Sequence, residues 1–134
     1  MGNIIPASTG AAQAVVKVLP ELKGKFHGIS IRVPVTNVSL VDLTVRLETP
    51  IASKEELINA FRIASAGRLA GVLRVSDEKL VSSDYLSSTE SSIIDADATV
   101  MLDDKTAKIV AWYDNEYGFA SRSESCQSEI RKVC

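Results

Sequence analysis

Hydrophobic and polar residues along the chain alternate between the period of a strand and the period of a helix. The clearest strand pattern is VSLVDLTVRLE at positions 38–48, where every second residue from Val41 to Leu47 is apolar, which predicts one buried face. The clearest helix pattern is SKEELINAFRIASAG at positions 53–67. Ser53 and Glu56 have the spacing of a capping box, and Gly67 provides a stop. The chain therefore combines strands with helices.

Other segments extend this pattern. AAQAVVKVL at positions 11–19 is apolar nearly all round, which predicts a mostly buried helix that Pro20 and Gly24 end. Shorter strands are predicted in FHGISIRV (26–33), GVLRV (71–75), LVSSDY (80–85), SSIID (91–95), ATVMLD (98–103) and TAKIVAWY (106–113). The predicted fold class is α/β in the α+β sense, with a mixed, largely antiparallel sheet and the helices on one face.

Composition narrows the functional classes. The 134 residues fit one domain, and a net charge of −2 without a basic block lacks the electrostatic footprint of a nucleic-acid-binding protein. No apolar run approaches the roughly 18 residues that a membrane span needs. The two cysteines, Cys126 and Cys134, form neither a disulfide framework nor a metal cluster, so a reducing, cytoplasmic setting is expected.

Two features could bind an anion. Thr9 and Gly10 precede a predicted helix, where free amides and the helix dipole attract an oxyanion and glycine allows it to approach closely. Arg32 lies just before Pro34, and its guanidinium could hold a phosphate through two parallel hydrogen bonds. Ordinary helix capping and an ordinary surface arginine explain the same residues, so both interpretations remain open at this point.

The stretch AWYDNEYGF (111–119) contains four of the seven aromatic residues of the chain. Within it, the Asn115 amide both donates and accepts hydrogen bonds, so it could pair with a ligand carboxamide or simply cap a turn or helix. Four nearby carboxylates do not have the spacing of a calcium loop, and turn chemistry explains them better: Asp95, Asp97, Asp103 and Asp104. No metal site is predicted.

NIIPASTGAAQAV, ISIRVPVTNVSLVDLTVRLE, LVSSDY and AWYDNEYGF follow one another along the chain. Together they resemble the glyceraldehyde-3-phosphate dehydrogenase family, from about Asn3 to about Arg122. The resemblance implies that residues 1–122 are part of the C-terminal catalytic domain of that family. Residues 123–134 lose the apolar stripe of the family's next helix, and we predict a polar tail outside the family pattern, with disorder as one expected outcome.

For function, the resemblance implies phosphorylating, NAD-dependent oxidation of glyceraldehyde 3-phosphate to 1,3-bisphosphoglycerate through a thioester, a step of glycolysis in the cytoplasm. NADP is the alternative cofactor, and the erythrose-4-phosphate dehydrogenase branch is an alternative substrate class. On this basis Thr9, Gly10 and Arg32 would contact the phosphorylated aldehyde or inorganic phosphate. Asn115 would bind the nicotinamide carboxamide.

The family's other functional motifs do not occur in this sequence. There is no G-x-G-x-x-G and no Ser-Cys-Thr-Thr-Asn, Cys126 lies in the polar tail, and His27 does not match the family's catalytic histidine. Because a thiolate and its base are obligatory for this chemistry, no catalytic residue is assigned, and we expect the isolated chain to be inactive and not to bind NAD tightly.

The sequence leaves the origin of these absences open between a truncated gene, a frame-shifted end and one half of a split enzyme. The expected partners are a complementary N-terminal half or further copies of the chain. The competing hypothesis is a non-catalytic remnant, or an oligomerising fragment, that retains at most a phosphate site.

Overall fold

The computed structural model describes residues 2–133, and it describes side chains for residues 2–128. The chain forms two compact units, Met1–Thr36 and Asn37–Cys134, which are described separately. The first unit contains strand β1, helix α1, a 3-10 turn and strand β2, with the bounds Ile5–Ala7, Ala11–Val18, Pro20–Leu22 and Ser30–Arg32. The second unit contains β3, α2, β4, a 3-10 turn, β5, β6 and α3, with the bounds Ser39–Arg46, Lys54–Ala66, Leu73–Ser76, Ser82–Tyr85, Ser92–Met101, Thr106–Tyr113 and Tyr117–Val133.

In the first unit, β1 and β2 form an antiparallel ribbon, with Ala7 opposite Ser30 and Ile5 opposite Arg32. α1 stops at Leu19 because the following Pro20 cannot continue the helical hydrogen-bond ladder. The prediction that this helix is mostly buried is wrong, since none of its residues is buried. Apart from the helix itself, this unit contains only one short ribbon and its connecting turns. They are too small to cover all sides of a helix that is apolar nearly all round.

The second unit is built on a four-stranded sheet in the order β3-β6-β5-β4. β4 and β5 are parallel, whereas β3–β6 and β5–β6 are antiparallel. The mixed, largely antiparallel sheet of an α+β fold is thereby confirmed. α2 begins as its sequence predicts, with the Ser53 hydroxyl accepting the Glu56 N–H at 3.2 Å, and it ends at Gly67.

Side chains from α2 and from one face of the sheet form the main hydrophobic core. Its buried members are Leu57, Ile58, Ile94, Ala96, Ala107, Ile109 and Ala111. Successive residues of a strand point to opposite faces, so Ile93 lies on the other face, where Val38 and Tyr85 complete a second buried cluster. Leu80 and Trp112 pack against this second cluster, and since Trp112 is the penultimate residue of β6, the cluster supports the end of that strand.

Two strand predictions in this unit are wrong. LVSSDY contains a 3-10 turn and not a strand, because the Asp84 carboxylate accepts the Val81 N–H at 2.8 Å and closes the segment locally. The segments at 91–95 and 98–103 belong to one strand, β5, whose pairing with β6 shifts between Asp95 and Val100. At this irregularity the Thr99 hydroxyl accepts the Val110 N–H at 3.2 Å.

α3 continues to Val133, so the segment 123–133 is helical in this structure. Serine hydroxyls donate to carbonyls one turn earlier, for example from Ser123 to Phe119 at 3.0 Å and from Ser125 to Ser121 at 2.9 Å. A helix without an apolar stripe has no hydrophobic face to pack against other elements. Its local hydrogen bonds, including those from serine side chains to the backbone, can still form. The Cys134 end of the predicted tail lies outside the described residues. No helix within the described part of the chain has the length and apolar character of a membrane span.

Candidate ligand-binding sites

The Thr9–Gly10 turn connects β1 to α1. The Thr9 hydroxyl accepts the N–H of Ala11, the first residue of α1, at 3.2 Å, whereas the N-cap residue is Gly10, which has no side chain to cap the helix. The helical ladder starts with the Ala14 N–H, which donates to the Gly10 carbonyl at 3.0 Å. The intervening amides of Ala12 and Gln13 therefore have no partner within the helix, and they remain available to an anion.

Gly10 has no intramolecular reason to be glycine in this structure. Its φ is −82°, which any residue can adopt, and a Cβ added there would meet no atom within 4 Å. The position is exposed, so the space beside the backbone is open to solvent. An open position without a side chain, next to free helix amides, suits the close approach of an oxyanion.

Arg32 is the last residue of β2, and its side chain is exposed. Within the described residues it forms no ion pair or hydrogen bond. The ribbon register sets Arg32 opposite Ile5, four residues before Thr9, which corresponds to a span of up to about 13 Å along the ribbon. Arg32 and the Thr9 turn are thus carried by one ribbon but are separated along it, an arrangement that suits two anionic groups better than one.

Asn115 belongs to the second unit, two residues after β6. Its side chain is exposed, and its Oδ1 accepts a hydrogen bond from the Ser39 hydroxyl at 2.8 Å. Ser39 is the first residue of β3 and lies opposite Tyr113, the last residue of β6. In the described part of the chain this is the one hydrogen bond of the Asn115 side chain, so its two N–H donors remain available.

The neighbouring Asp114 is turned inward and is only 3% exposed. Its Oδ1 accepts the N–H groups of Tyr117 at 2.8 Å and Glu116 at 3.1 Å, and its Oδ2 accepts that of Ser87 at 2.9 Å. The backbone amide of Tyr117 contributes most to lowering the pKa of Asp114, followed by the Ser87 amide, the Asn37 side chain and the Glu116 amide. Burial acts in the opposite direction and raises it. Asp114, and not Asn115, caps α3.

Two residues near this turn have unfavourable backbone conformations. Val38 and Ser87 have φ of 71° and 63°, and they are the non-glycine residues with positive φ in the described chain. Val38 precedes Ser39, and Ser87 donates to Asp114. Such conformations cost about 1–3 kcal/mol each and persist only where the surroundings determine them, frequently at functional sites. A β-branched residue is especially disfavoured there, so sequence patterns could not have indicated Val38.

Two stacked aromatic residues, Trp112 and Tyr85, lie close to this turn in the fold. Trp112 stacks on Tyr85 with ring centroids 5.3 Å apart, and its indole N–H donates to Asp95 at 3.0 Å. Asp95 also accepts the Ala98 N–H at 2.9 Å. The aromatic residues of AWYDNEYGF thus differ in role, since Trp112 supports the turn whereas Tyr117 and Phe119 are exposed on α3.

The remaining carboxylates of the acidic set serve local structure. Asp103 accepts the N–H groups of Lys105 at 2.8 Å and Thr106 at 2.7 Å in the turn between β5 and β6, and these bonds lower the pKa of Asp103. Asp97 pairs with Lys79 at 3.8 Å. Asp97 also borders a shallow pocket of about 250 Å³, in which Arg62 pairs with Asp77; its other lining residues are Lys54, Glu55, Ile58 and Ala96. None of the predicted ligand-binding residues lines it.

The chain matches the family model described as glyceraldehyde 3-phosphate dehydrogenase, C-terminal domain, over residues 1–115. It is 56% identical over 121 residues to a glyceraldehyde-3-phosphate dehydrogenase of Mastigamoeba balamuthi, covering 90% of this chain and 35% of that protein. It is 50% identical over 132 residues to one of Ogataea parapolymorpha, covering 98% and 39%. It is 48% identical over 132 residues to a protein of Dianthus caryophyllus named as cytosolic, again covering 98% and 39%.

The chain thus spans between 35% and 39% of the length of these relatives. The family model extends through the Thr9–Gly10 turn, Arg32 and Asn115. The two longer matches also include most of the segment 123–134, which was predicted to lie outside the family pattern.

Proposed function

Since the chain belongs to the glyceraldehyde 3-phosphate dehydrogenase family, we propose that it is the C-terminal portion of a phosphorylating, NAD-dependent enzyme of this family. In this proposal it supplies the phosphate contacts and one nicotinamide contact for the oxidation of glyceraldehyde 3-phosphate in glycolysis. The observation that carries the proposal is the Thr9–Gly10 turn at the start of α1, on the same ribbon as Arg32. The cytoplasm is the proposed location.

The phosphate role is supported by how the first unit distributes its donors. Thr9 holds the helix start, the Ala12 and Gln13 amides are left without helical partners, and Gly10 leaves open space beside them. An anion there would gain backbone hydrogen bonds and the favourable end of the helix dipole. Arg32, further along the ribbon, would bind a second phosphate group through its guanidinium.

The nicotinamide role is supported by the free donors of Asn115. An exposed side-chain amide with both N–H groups available can donate to a ligand carbonyl oxygen. Bound NAD, or NADP as the alternative, would supply the hydride acceptor of the reaction. Asn115 would orient the carboxamide of the nicotinamide ring and take no part in proton transfer. One amide provides little affinity, so tight binding of the dinucleotide by this chain alone is not expected.

Catalysis would need groups from another polypeptide segment. The sequence contains no Ser-Cys-Thr-Thr-Asn motif, Cys126 is exposed on α3, and His27 is exposed in a loop of the first unit. A nucleophilic thiolate requires an adjacent base. We therefore propose that the chain by itself is inactive, and that a complementary N-terminal portion would provide the nucleophile, the base and most of the dinucleotide site.

A second candidate function, association, is supported by the surface of the first unit. None of its described residues is buried, and eight large hydrophobic side chains are exposed: Ile4, Ile5, Val18, Leu19, Ile29, Ile31, Val33 and Val35. Apolar surface of this density is typical of an interface. It suits either the complementary portion or another copy of the chain, and sedimentation as a clean monomer would argue against association. The erythrose-4-phosphate dehydrogenase branch remains an alternative identity for the whole enzyme.

Phosphate titration followed by amide NMR tests the first role. Inorganic phosphate should shift the amides of Ala12 and Gln13, and Gly10→Ala should weaken that binding because the added methyl fills the space beside them. Arg68→Ala is the matched control for Arg32→Ala, since Arg68 is also exposed but lies after α2. If phosphate shifts the β2 amides equally in wild type and Arg32→Ala, Arg32 is not part of a second anion site, and unshifted α1 amides would refute the proposed phosphate role of the Thr9–Gly10 turn.

An assay of NADH production tests whether the chain needs a complementary N-terminal portion for activity. The chain alone should give no turnover with glyceraldehyde 3-phosphate, NAD⁺ and phosphate. Mixing it with a separately produced N-terminal portion of a family member should produce turnover that depends on both polypeptides. Turnover by the chain alone would refute the proposed inactivity, and no turnover by the folded mixture would favour the non-catalytic hypothesis.

A further inference from the structure

The turn that carries Asn115 is held from two sides by the rest of its unit. On one side the Asp114 carboxylate binds the backbone of Ser87 and the start of α3. On the other side the Ser39 hydroxyl donates to Asn115 Oδ1 at 2.8 Å. Asp114 fixes the backbone of the turn, whereas Ser39 acts on the exposed amide itself.

The contact with Ser39 decides which end of the amide is free. The Ser39 hydroxyl donates to Oδ1, so the Asn115 side chain is rotated with Oδ1 toward β3. The Nδ2 group, at the other end of the amide, therefore points away from β3. We propose that Ser39 is a positioning residue that fixes the Asn115 amide with its N–H groups presented to the ligand. This inference rests on the proposed function, in which Asn115 contacts the nicotinamide carboxamide.

The position of Ser39 is itself determined by the hydrophobic core. Val38, the preceding residue, has a φ of 71° and is 5% exposed, packed with Tyr85 and Ile93. Burial of this side chain holds a backbone conformation that valine otherwise avoids. Ser39 then enters β3 opposite Tyr113, so its hydroxyl lies at a defined distance from the turn that follows β6.

A fixed amide has a consequence for ligand selection. With Oδ1 occupied, Asn115 can donate but has a reduced capacity to accept, so it favours a carbonyl oxygen over an N–H group on the ligand. The pyridine substituent it recognises is therefore one with an acceptor oxygen. The 3-acetylpyridine analogue of NAD⁺ keeps that oxygen and lacks the amide N–H₂, and it should bind to Asn115 in the same way as NAD⁺.

The test follows the side-chain N–H₂ signals of Asn115 in the full ¹⁵N-labelled chain during titration with NAD⁺ and with the acetylpyridine analogue. Both ligands should shift these signals at millimolar concentration. Ser39→Ala should weaken binding of both by about three- to tenfold, which is the range for the loss of one net hydrogen bond. Ser39→Thr, which keeps the hydroxyl, should restore it.

Ser123→Ala is the control, since it removes another exposed serine hydroxyl, one that donates within α3. It should leave the titration unchanged. A purely structural role for Ser39 predicts a lower urea midpoint for Ser39→Ala with the same ligand-induced shifts, whereas positioning predicts altered Asn115 signals with little change in midpoint.

Three results would overturn the inference or its consequence for ligand selection, and they are distinguishable from one another. If NAD⁺ shifts the Asn115 signals equally in wild type and Ser39→Ala, the contact to nicotinamide stands but Ser39 does not position it. If NAD⁺ leaves these signals unshifted in the folded wild type, the proposed contact of Asn115 fails and the inference fails with it. If NAD⁺ shifts the signals but the analogue does not, Asn115 is not selecting an acceptor oxygen.

Discussion

Removing the Asp114 carboxylate should be among the most destabilising single changes in the second unit. Asp114 is 3% exposed and accepts three backbone hydrogen bonds, from Ser87, Glu116 and Tyr117. Asp114→Ala removes all three acceptors. Asp114→Asn keeps Oδ1 for the start of α3 but turns an N–H₂ group toward the Ser87 N–H, so that two donors face each other.

The expected loss of folding free energy follows from the type of these hydrogen bonds and from how far each is exposed to water. Hydrogen bonds to a charged group contribute about 1.5–3 kcal/mol each. Water can replace the acceptor for the exposed Glu116 amide, so the three contributions do not add fully. We expect a loss of about 3–4 kcal/mol for Asp114→Ala and about 1.5–3 kcal/mol for Asp114→Asn. Against a typical total of about 5–15 kcal/mol, both variants should still fold.

The lowered pKa of Asp114 gives the effect a pH dependence whose sign is fixed. The hydrogen bond from the Tyr117 backbone amide, with those from Ser87 and Glu116 and the influence of the Asn37 side chain, outweighs burial and holds the folded-state pKa of Asp114 below that of the unfolded chain. The charged carboxylate therefore stabilises the fold above the unfolded pKa, near pH 4, and this contribution is lost as the pH falls through the lower folded-state value. Asp114→Asn should lack this component.

Urea unfolding followed by circular dichroism at pH 7 and across pH 2.5–5 measures both effects. Asp42→Asn is the control, since Asp42 is half-exposed and pairs with Lys108 at 2.9 Å on the surface of the sheet. Such a pair contributes about 0–1 kcal/mol. If Asp114→Ala at pH 7 is no less stable than Asp42→Asn, the argument that Asp114 holds the turn is refuted.

Three further changes test the packing around this turn. Tyr85→Phe should be neutral or stabilising by up to about 1 kcal/mol in thermal unfolding, because the buried Tyr85 hydroxyl has no partner among the described residues, and a clear loss would reveal one. Gly118→Ala should cost about 1–3 kcal/mol in urea unfolding despite the better helix propensity of alanine, since the new Cβ would lie 3.0 Å from the Glu90 carbonyl oxygen. Ser53→Ala should cost about 1 kcal/mol through loss of the α2 cap, and Ser53→Asp should recover it in the same measurement.

Elements with local determinants could be predicted from the sequence. α2 has its cap, its buried residues Leu57 and Ile58 and its stop within one segment. The alternation in β3 predicted a buried face, and the structure places Leu43 and Val45 there as partly buried residues packed against the main core. The 80–85 segment shows the limit of this reasoning. Its composition suits a strand, but the short-range bond from Val81 to Asp84 closes a 3-10 turn, and no periodicity distinguishes the two outcomes over so few residues.

The site was only partly predictable for a related reason. Asp114 and Asn115 are adjacent polar residues, and either has the chemistry of a helix cap. Which one turns inward depends on the Ser87 N–H, 27 residues earlier in the chain. Ser39 likewise bonds to a residue 76 positions away. Sequence patterns identify the donors and acceptors of such a turn but not their long-range partners.

The strained residues connect these long-range contacts to the stability of the unit. Val38 and Ser87 would each relax if their surroundings loosened, since positive φ costs about 1–3 kcal/mol for residues of this kind. Burial of Val38 beside Tyr85 and the bond from Ser87 to Asp114 offset that strain. All of these residues lie in the second unit. The orientation of Asn115 should therefore depend on the core of that unit, independently of the phosphate contacts that are proposed for the first unit.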